Sequence, residues 1–455
     1  MKCNHCHSEN PAGFSFCGHC GRHFDQTCPR CNAQIPVTFL FCGLCGLALD
    51  QKSDRLTSAD IDHLRAYLPT NLVEALQLEM AQPPVTLWQQ CINHLARLLK
   101  ATASHLPAYL VEQVAQQPVP GQTHGRFITG TLLFADISGF TAMSERLSRI
   151  GREGAEEVTT IINRYYDVML AILRQYNGQL IKFGGDALLG LFAEPAPPLG
   201  ETGEGMKGGD GGVARAIQAA LQMQAAMAEF AETQTSQGTF PLQMKVAIHH
   251  GRFFAAQLGT AQSMEYALFG TDVNKTATLE SVAAAGQIVT DRLTLAMVDA
   301  QVTATSSSDN APDKPVPDLS RYPVQAVPLD EHHLLIEAAP PWPLPELPPP
   351  LQLLPDLVPD LPTLRRAVKL LDTLTPYLPS GLLSRLAGPP SIPPGGGDER
   401  GGDLGGGEHR LVAVLFSNLH GMGDIADQLG PGHEHEIIEA LNRIFVAFTT
   451  ALERY

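Results

Sequence analysis

The spacing of hydrophobic and polar positions changes several times along the 455-residue chain and divides it into segments. Between 56 and 118 the leucines Leu64, Leu68, Leu72 and Leu76 recur at near-helical spacing, so this stretch is predicted helical, with a break at Pro69. Cys91 stands apart from any motif there and reads as a small core residue. From Thr131 the period switches to a continuous apolar run, and Leu132 to Ile137 is predicted to be a buried strand. Helices are predicted over 141–149 and 154–176, followed by strands over 179–183 and 187–192 that turn at Gly184-Gly185. A Gly-rich loop at 198–212, a helix over 213–232, a strand over 243–250 and a second hairpin arm at 253–258 complete the unit. The order β-α-β-β-α-β is the ferredoxin-like plan, an α+β fold.

Self-similarity adds a tandem layout. The segment beginning Leu106-Pro-Ala-Tyr-Leu has relatives at Leu64 and Leu374, and the occurrences at Leu106 and Leu374 each precede an apolar strand, as a repeated lead-in helix would. Fifteen of the 35 prolines fall between Pro312 and Pro362, which reads as linker or extended chain with at most a short strand at Leu334 to Ile336. A flexible Gly/Pro insertion over 388–407 follows. The apolar run then restarts at Leu411, with Phe416, Asn418 and Gly421 standing where Phe134, Asp136 and Gly139 stood, and Asn442-Arg443 through Tyr455 echoing Asn163-Arg164 through Tyr176. The second copy stops before counterparts of Lys182 and Asp186. The expected organisation is a cysteine-rich module at 1–50, a helical lead-in at 51–125, the βαββαβ domain at 126–300, a Pro-rich linker at 301–362, a second lead-in helix with insertion at 363–409, and an incomplete second domain at 410–455.

Cysteine spacing gives the most specific local pattern. Cys3, Cys6, Cys17 and Cys20 form CxxC, ten residues, CxxC, and Cys28, Cys31, Cys42 and Cys45 repeat it. Without an apolar signal region at the N-terminus, these pairs read as tetrahedral zinc sites rather than disulfides, two closed four-sulfur shells with structural Zn2+. His5, His7, His19 and His23 are then solvated loop residues, because the thiolates already fill each shell. Residues 1–50 carry three Lys/Arg and three Asp/Glu, so the module has no basic face for nucleic acid and fits a structural or protein-docking role. The whole chain, with net charge −16, argues against a general nucleic-acid or anionic-membrane surface. No run reaches the roughly 18 apolar residues a membrane helix needs, and a cytoplasmic location is expected.

Asp136 closes the apolar run Thr131 to Ile137. A carboxylate there is costly unless it holds a cation or a hydrogen-bond network; the plain alternative is an N-cap for the helix near Thr141. Asp186, just past the Gly-Gly turn, would lie on a neighbouring strand, and two convergent carboxylates bridge divalent cations in phosphoryl-transfer sites. The backbone N–H groups of Ile137, Ser138, Gly139 and Phe140 at a helix start suit a polyphosphate. Lys245 would add positive charge, or else be a solvated edge lysine.

Phe134-Ala-Asp-Ile-Ser-Gly-Phe, Lys182-Phe-Gly-Gly-Asp-Ala-Leu-Leu, Val246-Ala-Ile-His-His-Gly-Arg and Phe269-Gly-Thr-Asp-Val-Asn together resemble the catalytic domain of class III nucleotidyl cyclases. The Gly-Gly-Asp-Ala-Leu-Leu form and tandem layout are most similar to bacterial relatives of soluble adenylyl cyclase. The resemblance spans about 127–295 and, weakly, 410–455. It implies two cyclase domains packed head to tail, with ATP or, less favoured, GTP at their interface. Asp136, Asp186 and the Ile137 carbonyl would hold two Mg2+ or Mn2+, Gly139, Phe140 and Lys245 would hold the triphosphate, and the partner domain would give base-selecting residues and an Asn/Arg pair. That partner is an intramolecular second domain or another copy of the chain. The family's Asn is present as Asn274, but its Arg is Thr278 and its base-selecting acid is Ala267, while the second copy carries Asn418 for the metal aspartate. Lys182 and Asn274 would then belong to a degenerate second pocket, regulatory or vestigial. The rival expectation is a catalytically silent nucleotide-binding or scaffold protein.

Overall fold

The computed structural model describes residues 19, 25–27, 34–36, 44, 55–193, 211–302, 324–342, 345, 347, 351–354, 357–379, 382–387 and 421–453. All eight cysteines expected to bind zinc, and Phe416 and Asn418, lie outside the described residues. Within the cysteine-rich stretch, β1 (Asp25–Thr27) and β2 (Gln34–Pro36) pair antiparallel.

Helices α1 (Ser58–Leu64), α2 (Thr70–Leu78), α3 (Val85–Ser104) and α4 (Ala108–Gln116) precede the sheet. Thr57 and Asp60 cap α1 reciprocally, and Pro69 sits at the N-cap of α2, where its missing N–H does no harm. Cys91 is buried in this layer, and burial pushes its thiol up to about 11.

Eight strands form the main sheet: β3 (His124–Ser138), β4 (Gln179–Gly184), β5 (Ala187–Ala193), β8 (Gln243–Gly259), β9 (Met264–Phe269), β10 (Ile288–Asp291), β11 (Gln325–Pro328) and β12 (His333–Ala338). Their order is β11-β12-β10-β8-β3-β5-β4, with β9 paired to β8. The four strands β8-β3-β5-β4 carry the ferredoxin-like order, joined by α5 (Phe140–Ser148), α6 (Arg152–Gln175) and α7 (Gly212–Ala226). A small hairpin of β6 (Thr233–Thr235) and β7 (Gly238–Phe240) follows α7. α8 (Thr271–Val282) follows β9, and α9 (Arg292–Val302) follows β10.

One expectation is corrected. Residues 243–250 and 253–258 are not two arms of a hairpin but one 17-residue strand, β8, and the hairpin partner is β9. Gly251, between the two predicted arms, lies within the strand; a Cβ there would overlap the Asp272 carboxylate, so glycine marks a close approach in mid-strand. β3 likewise begins at His124, seven residues before the apolar run, because its whole length pairs with β8. β11 and β12 lie within the Pro-rich stretch and extend the sheet beyond β10.

Period 2 on β3 sorts its side chains to two faces. Leu133, Ala135 and Ile137 join Met143, Leu147, Tyr165 and Met169 of α5 and α6, whereas Ile128 and Leu132 join the core of the lead-in helices. That second core includes α10 (Leu361–Leu374), through Leu364, Leu370 and Leu371. Arg365 clamps the first lead-in to the second, its Nε donating to Asp60 Oδ1 at 2.9 Å and its Nη2 to Oδ2 at 2.8 Å, while Tyr67 Oη donates to Asp372 at 2.6 Å. α11 (Leu382–Ala387) follows. α12 (Met422–Leu429) and α13 (Glu434–Glu453) return to the sheet, burying Ala426, Ile437, Ile438 and Leu441 against Phe254 and Leu258 of β8. Gly421 precedes α12 with φ 85°, as Gly139 precedes α5 with φ 95°. Among the described residues, no helix is long and apolar enough to cross a membrane.

The Arg365 fork lowers the Asp60 carboxyl to about 2 from the ordinary 3.8. A folded-state value below the unfolded one stabilises above the ordinary aspartate range, and that contribution is lost as pH falls through about 2. Carboxyl NMR should therefore place the Asp60 midpoint near 2 in the folded chain, and Arg365→Gln should return it toward 3.8.

Candidate active site

Asp136 lies two residues from the end of β3, on the opposite face from Ala135 and Ile137, and its register partner on β8 is Lys245. On that face Phe134 packs with Ala247, Leu279 and Val289, so Asp136 and Lys245 look toward α8. The strand ends at Gly139, whose φ of 95° and 2.7 Å clearance between a would-be Cβ and the Pro241 carbonyl both require glycine. Phe140 then starts α5, and no side chain caps that helix. Asp136 is therefore a strand residue rather than a helix cap. Ile137 is buried in the α5–α6 core, Phe140 packs on the same core, and Ser138 and Gly139 form the link between strand and helix.

Asp186 occupies the turn between β4 and β5, and β5 is the strand beside β3. The register that sets Ala135 opposite Leu188 carries this turn to the same end of the sheet as Asp136. Tyr166 on α6 fixes the turn: its hydroxyl donates to the Gly185 carbonyl at 2.8 Å, and its ring meets Phe183 at 4.3 Å between centroids. Burial, and then the charge of Asp186, push the Asp136 carboxyl above the usual carboxylate range. Lys245 Nζ, 3.6 Å from Asp136 Oδ2, pulls the other way and does not win.

Lys245 is held first by a residue that sequence reasoning missed. Glu280 on α8 lies 2.5 Å from Lys245 Nζ, and that hydrogen bond is the main cause of the raised Lys245 pKa. Nothing in the sequence joins positions 245 and 280; only the packing of α8 over β8 does so. A second acid–base group sits further along β8. His249, 5% exposed, lies 2.5 Å through Nδ1 from Asp291 and 3.3 Å through Nε2 from Asp272. Burial alone would lower its pKa, but the two carboxylates raise it. The second contact is ionic, not aligned as a hydrogen bond. Asp272 in turn binds Lys275 at 2.8 Å and the Arg252 amide at 2.9 Å.

The other predicted residues sit apart from this cluster. Lys182, exposed on β4, pairs with Glu265 of β9 at 2.5 Å. Asn274 is exposed in the first helical turns of α8, with Thr278 bonding back to its carbonyl at 3.0 Å. Ala267 lies on β9 opposite Ala256. The start of α8 meets the returning helices, where Asp427 of α12 accepts from the Thr271 amide at 2.7 Å and from its hydroxyl.

Asp136 and Asp186 thus offer two carboxylates and a strand-end carbonyl to a cation. Among the described residues, no cluster of three or more His, Cys, Asp or Glu side chains is arranged as a self-sufficient metal cage. One or two carboxylates, completed by substrate phosphates, are the usual donor set for Mg2+. Burial raises the Asp136 pKa most, and the Asp186 charge that adds to it is what a cation between the carboxylates would offset. The residues fit such a group.

Two segments of the chain match known families. Residues 123–312 match the family model of the adenylate and guanylate cyclase catalytic domain, and residues 3–46 match that of the double zinc ribbon. Adenylate cyclase type 10 of Oryctolagus cuniculus is 36% identical over 98 residues, 21% of this chain and 6% of that protein. Adenylate cyclase 1 of Rhizobium meliloti (strain 1021) is 27% identical over 167 residues, 35% of this chain and 23% of the relative. An adenylate cyclase of Anabaena cylindrica is 25% identical over 200 residues, covering 43% and 36%. The chain therefore spans little more than a third of these relatives at most. Among solved structures, the adenylyl cyclase CyaB from P. aeruginosa aligns with TM-score 0.34 and 20% identity over 48% of this chain and 97% of that one. The guanylyl cyclase Cya2 aligns with TM-score 0.32 and 24% identity over 49% and 95%.

Glu280 raises the Asp136 pKa by its own charge and also retains the lysine that would lower it. In Glu280→Gln both effects reverse, so the Asp136 midpoint should fall toward the ordinary range and the Lys245 midpoint should fall with it. Carboxyl and ammonium NMR titrations check both; an unchanged pair would show that Lys245 does not depend on Glu280.

Proposed function

With residues 123–312 a class III nucleotidyl cyclase domain and residues 3–46 a double zinc ribbon, we propose that the chain makes a 3',5'-cyclic nucleotide and pyrophosphate from a nucleoside triphosphate, ATP in preference to GTP. The observation that carries this is the placement of Asp136 and the Asp186 turn at one end of the sheet, beside Lys245 and the uncapped start of α5. The ribose 3'-hydroxyl attacks the α-phosphorus, its proton leaves with base, and pyrophosphate departs with the bonding electrons. Two divalent cations, Mg2+ or Mn2+, held by Asp136, Asp186 and the Ile137 carbonyl would lower the hydroxyl pKa and offset charge on the phosphates.

The chain's own residues orient the substrate. The N–H groups of Ser138, Gly139 and Phe140 lie where strand passes into helix, in the partial positive field of a helix start, and suit the β- and γ-phosphates. Lys245 adds a charge tethered by Glu280, so it acts from a fixed position rather than from a mobile stem. Tyr166 keeps Asp186 from drifting with its turn. Thr278 lacks the guanidinium and Ala267 the base-selecting acid, so those contacts must come from a partner domain, an intramolecular second copy or another chain. The same two departures favour the second reading, a domain that binds the nucleotide without turning it over.

Incubating the full chain with Mn2+ and ATP, alone and with a complete partner domain added, separates the readings. Cyclic nucleotide should form, and Asp136→Ala should lower its rate about a hundredfold or more. Full activity in Asp136→Ala would remove the two-metal assignment, whereas saturable binding of a nonhydrolysable ATP analogue with no turnover in either mixture would establish the second reading. Because Asp136 must ionise to bind a cation and its pKa is raised, Mn2+ affinity should fall with decreasing pH at values above the ordinary aspartate range.

The zinc-ribbon match and the doubled CxxC pattern support two structural zinc ions per chain, with the ribbon surface open to a protein partner. Elemental analysis should give two zinc equivalents, and Cys17→Ser should lose one of them while leaving nucleotide binding in place.

A further inference from the structure

Two openings along α3 form one groove. A cavity of about 600 Å³ lies between the C-terminal half of α3, the start of α4, the end of α6 and the first residues of β4, and residues 351–354 flank it. A more open depression of about 860 Å³ continues between α2 and α3, and the two share Ala96, Lys100 and Leu357. The inner cavity is walled by Leu99, Ala103, Leu106, Val111, Ile181 and Leu354. That volume is in the range of small-molecule sites, which run roughly 300–1,000 Å³.

Charge in this groove runs against the rest of the chain. The chain has 47 Asp and Glu against 31 Lys and Arg, yet the ionisable residues lining the inner cavity are Lys100, His105 and Arg174, and the outer depression adds only His94 and Arg97. Among the described lining residues there is no carboxylate. Neither Lys100 nor Arg174 has a described ion-pair partner, and both are exposed at the edge of an apolar hollow. Arg97 of the outer depression likewise has no described ion-pair partner, so the basic side chains of the groove border its apolar wall without a described acidic partner.

We propose that this groove binds a single-chain apolar carboxylate, a fatty-acid-type anion. The hydrocarbon chain fills the inner cavity and the carboxylate rests between Lys100 and Arg174. A nucleotide fits less well, since its polar base and sugar would face leucine, isoleucine and valine. A membrane surface fits less well too, since the hollow takes one chain rather than a flat sheet of headgroups. The site is separate from Asp136 and Asp186 and does not rest on the cyclase reading. It borders Gln179 to Ile181, so an occupant touches the strand that carries Lys182.

Calorimetric titration of the full chain with dodecanoate below its micelle concentration tests the site. One saturable site is expected, about tenfold tighter for dodecanoate than for decanoate, since two more methylenes are buried. Arg174→Glu and Lys100→Glu should each weaken binding about tenfold or more, the scale of one lost charge-assisted contact. Dodecanol, with the same chain and no charge, should weaken likewise. Ala103→Trp should abolish binding by filling the hollow, with circular dichroism checking that the helices persist. Since Lys100 and Arg174 are exposed, their variants keep the test decisive if Ala103→Trp does not fold. Absence of a saturable site, or binding indifferent to both charge reversals and to chain length, overturns the proposal.

Discussion

The pairing of β3 with β8 is the constraint on which the candidate site depends. The ladder runs without interruption from His124 opposite Gln257 to Ser138 opposite Gln243, and it sets Asp136 opposite Lys245. Because side chains alternate, a one-residue slip would send Asp136 into the α5–α6 core and bring Ile137 out toward α8. Burying an unpaired carboxylate there costs several kcal/mol, so the apolar pattern of the strand and the position of its one acid fix the same register. The strand that packs the domain and the strand that presents the carboxylate are therefore one object, and the register cannot be relaxed for either purpose alone.

That register leaves an electrostatic imbalance. Asp136 has a cation at 3.6 Å, but Lys245 is shared with Glu280 at 2.5 Å, and Asp186 adds a second negative charge nearby. Three carboxylates face one ammonium. If packing alone had to be satisfied, an apolar residue at 136 would serve better, since replacing a poorly compensated buried charge by a hydrophobe is often neutral or stabilising. The imbalance is what distinguishes this end of the sheet from the His249 cluster, where the two carboxylates of Asp272 and Asp291 hold their protons less tightly than usual because a histidine, a lysine and backbone amides compensate them.

Much of this was legible in the chain. The period change at Thr131, the helix periods after it and the Gly-Gly turn before Asp186 locate the strands, and the placement of two acids at one end of the sheet follows from the strand order. What escaped had physical reasons. The break expected after residue 250 falls at Gly251, where the missing side chain makes room for Asp272, twenty-one residues away, and a sequence holds no trace of that approach. Glu280 escaped because a helix residue acquires its meaning from the strand beneath it. The short strand expected at Leu334 to Ile336 is the middle of β12, but β11 was obscured by the prolines around it, although Pro328 sits at the end of an edge strand, where a missing N–H is harmless.

Two lysines of the domain, Lys182 and Lys245, show how exposure separates residues of the same type. Lys182 and Lys245 each lie 2.5 Å from a glutamate. The Lys182–Glu265 pair is 59% and 36% exposed, and such a pair is worth about 0–1 kcal/mol, so an anion arriving at β4 can exchange for Glu265 at little cost. The Lys245–Glu280 pair is 22% and 15% exposed, where the local dielectric is lower and water competes less well. Lys245 is therefore held in its ion pair with Glu280, whereas Lys182 exchanges partners more readily. Of the two, the lysine nearer the carboxylates is the fixed one, and adaptability lies with the lysine at the far edge of the sheet.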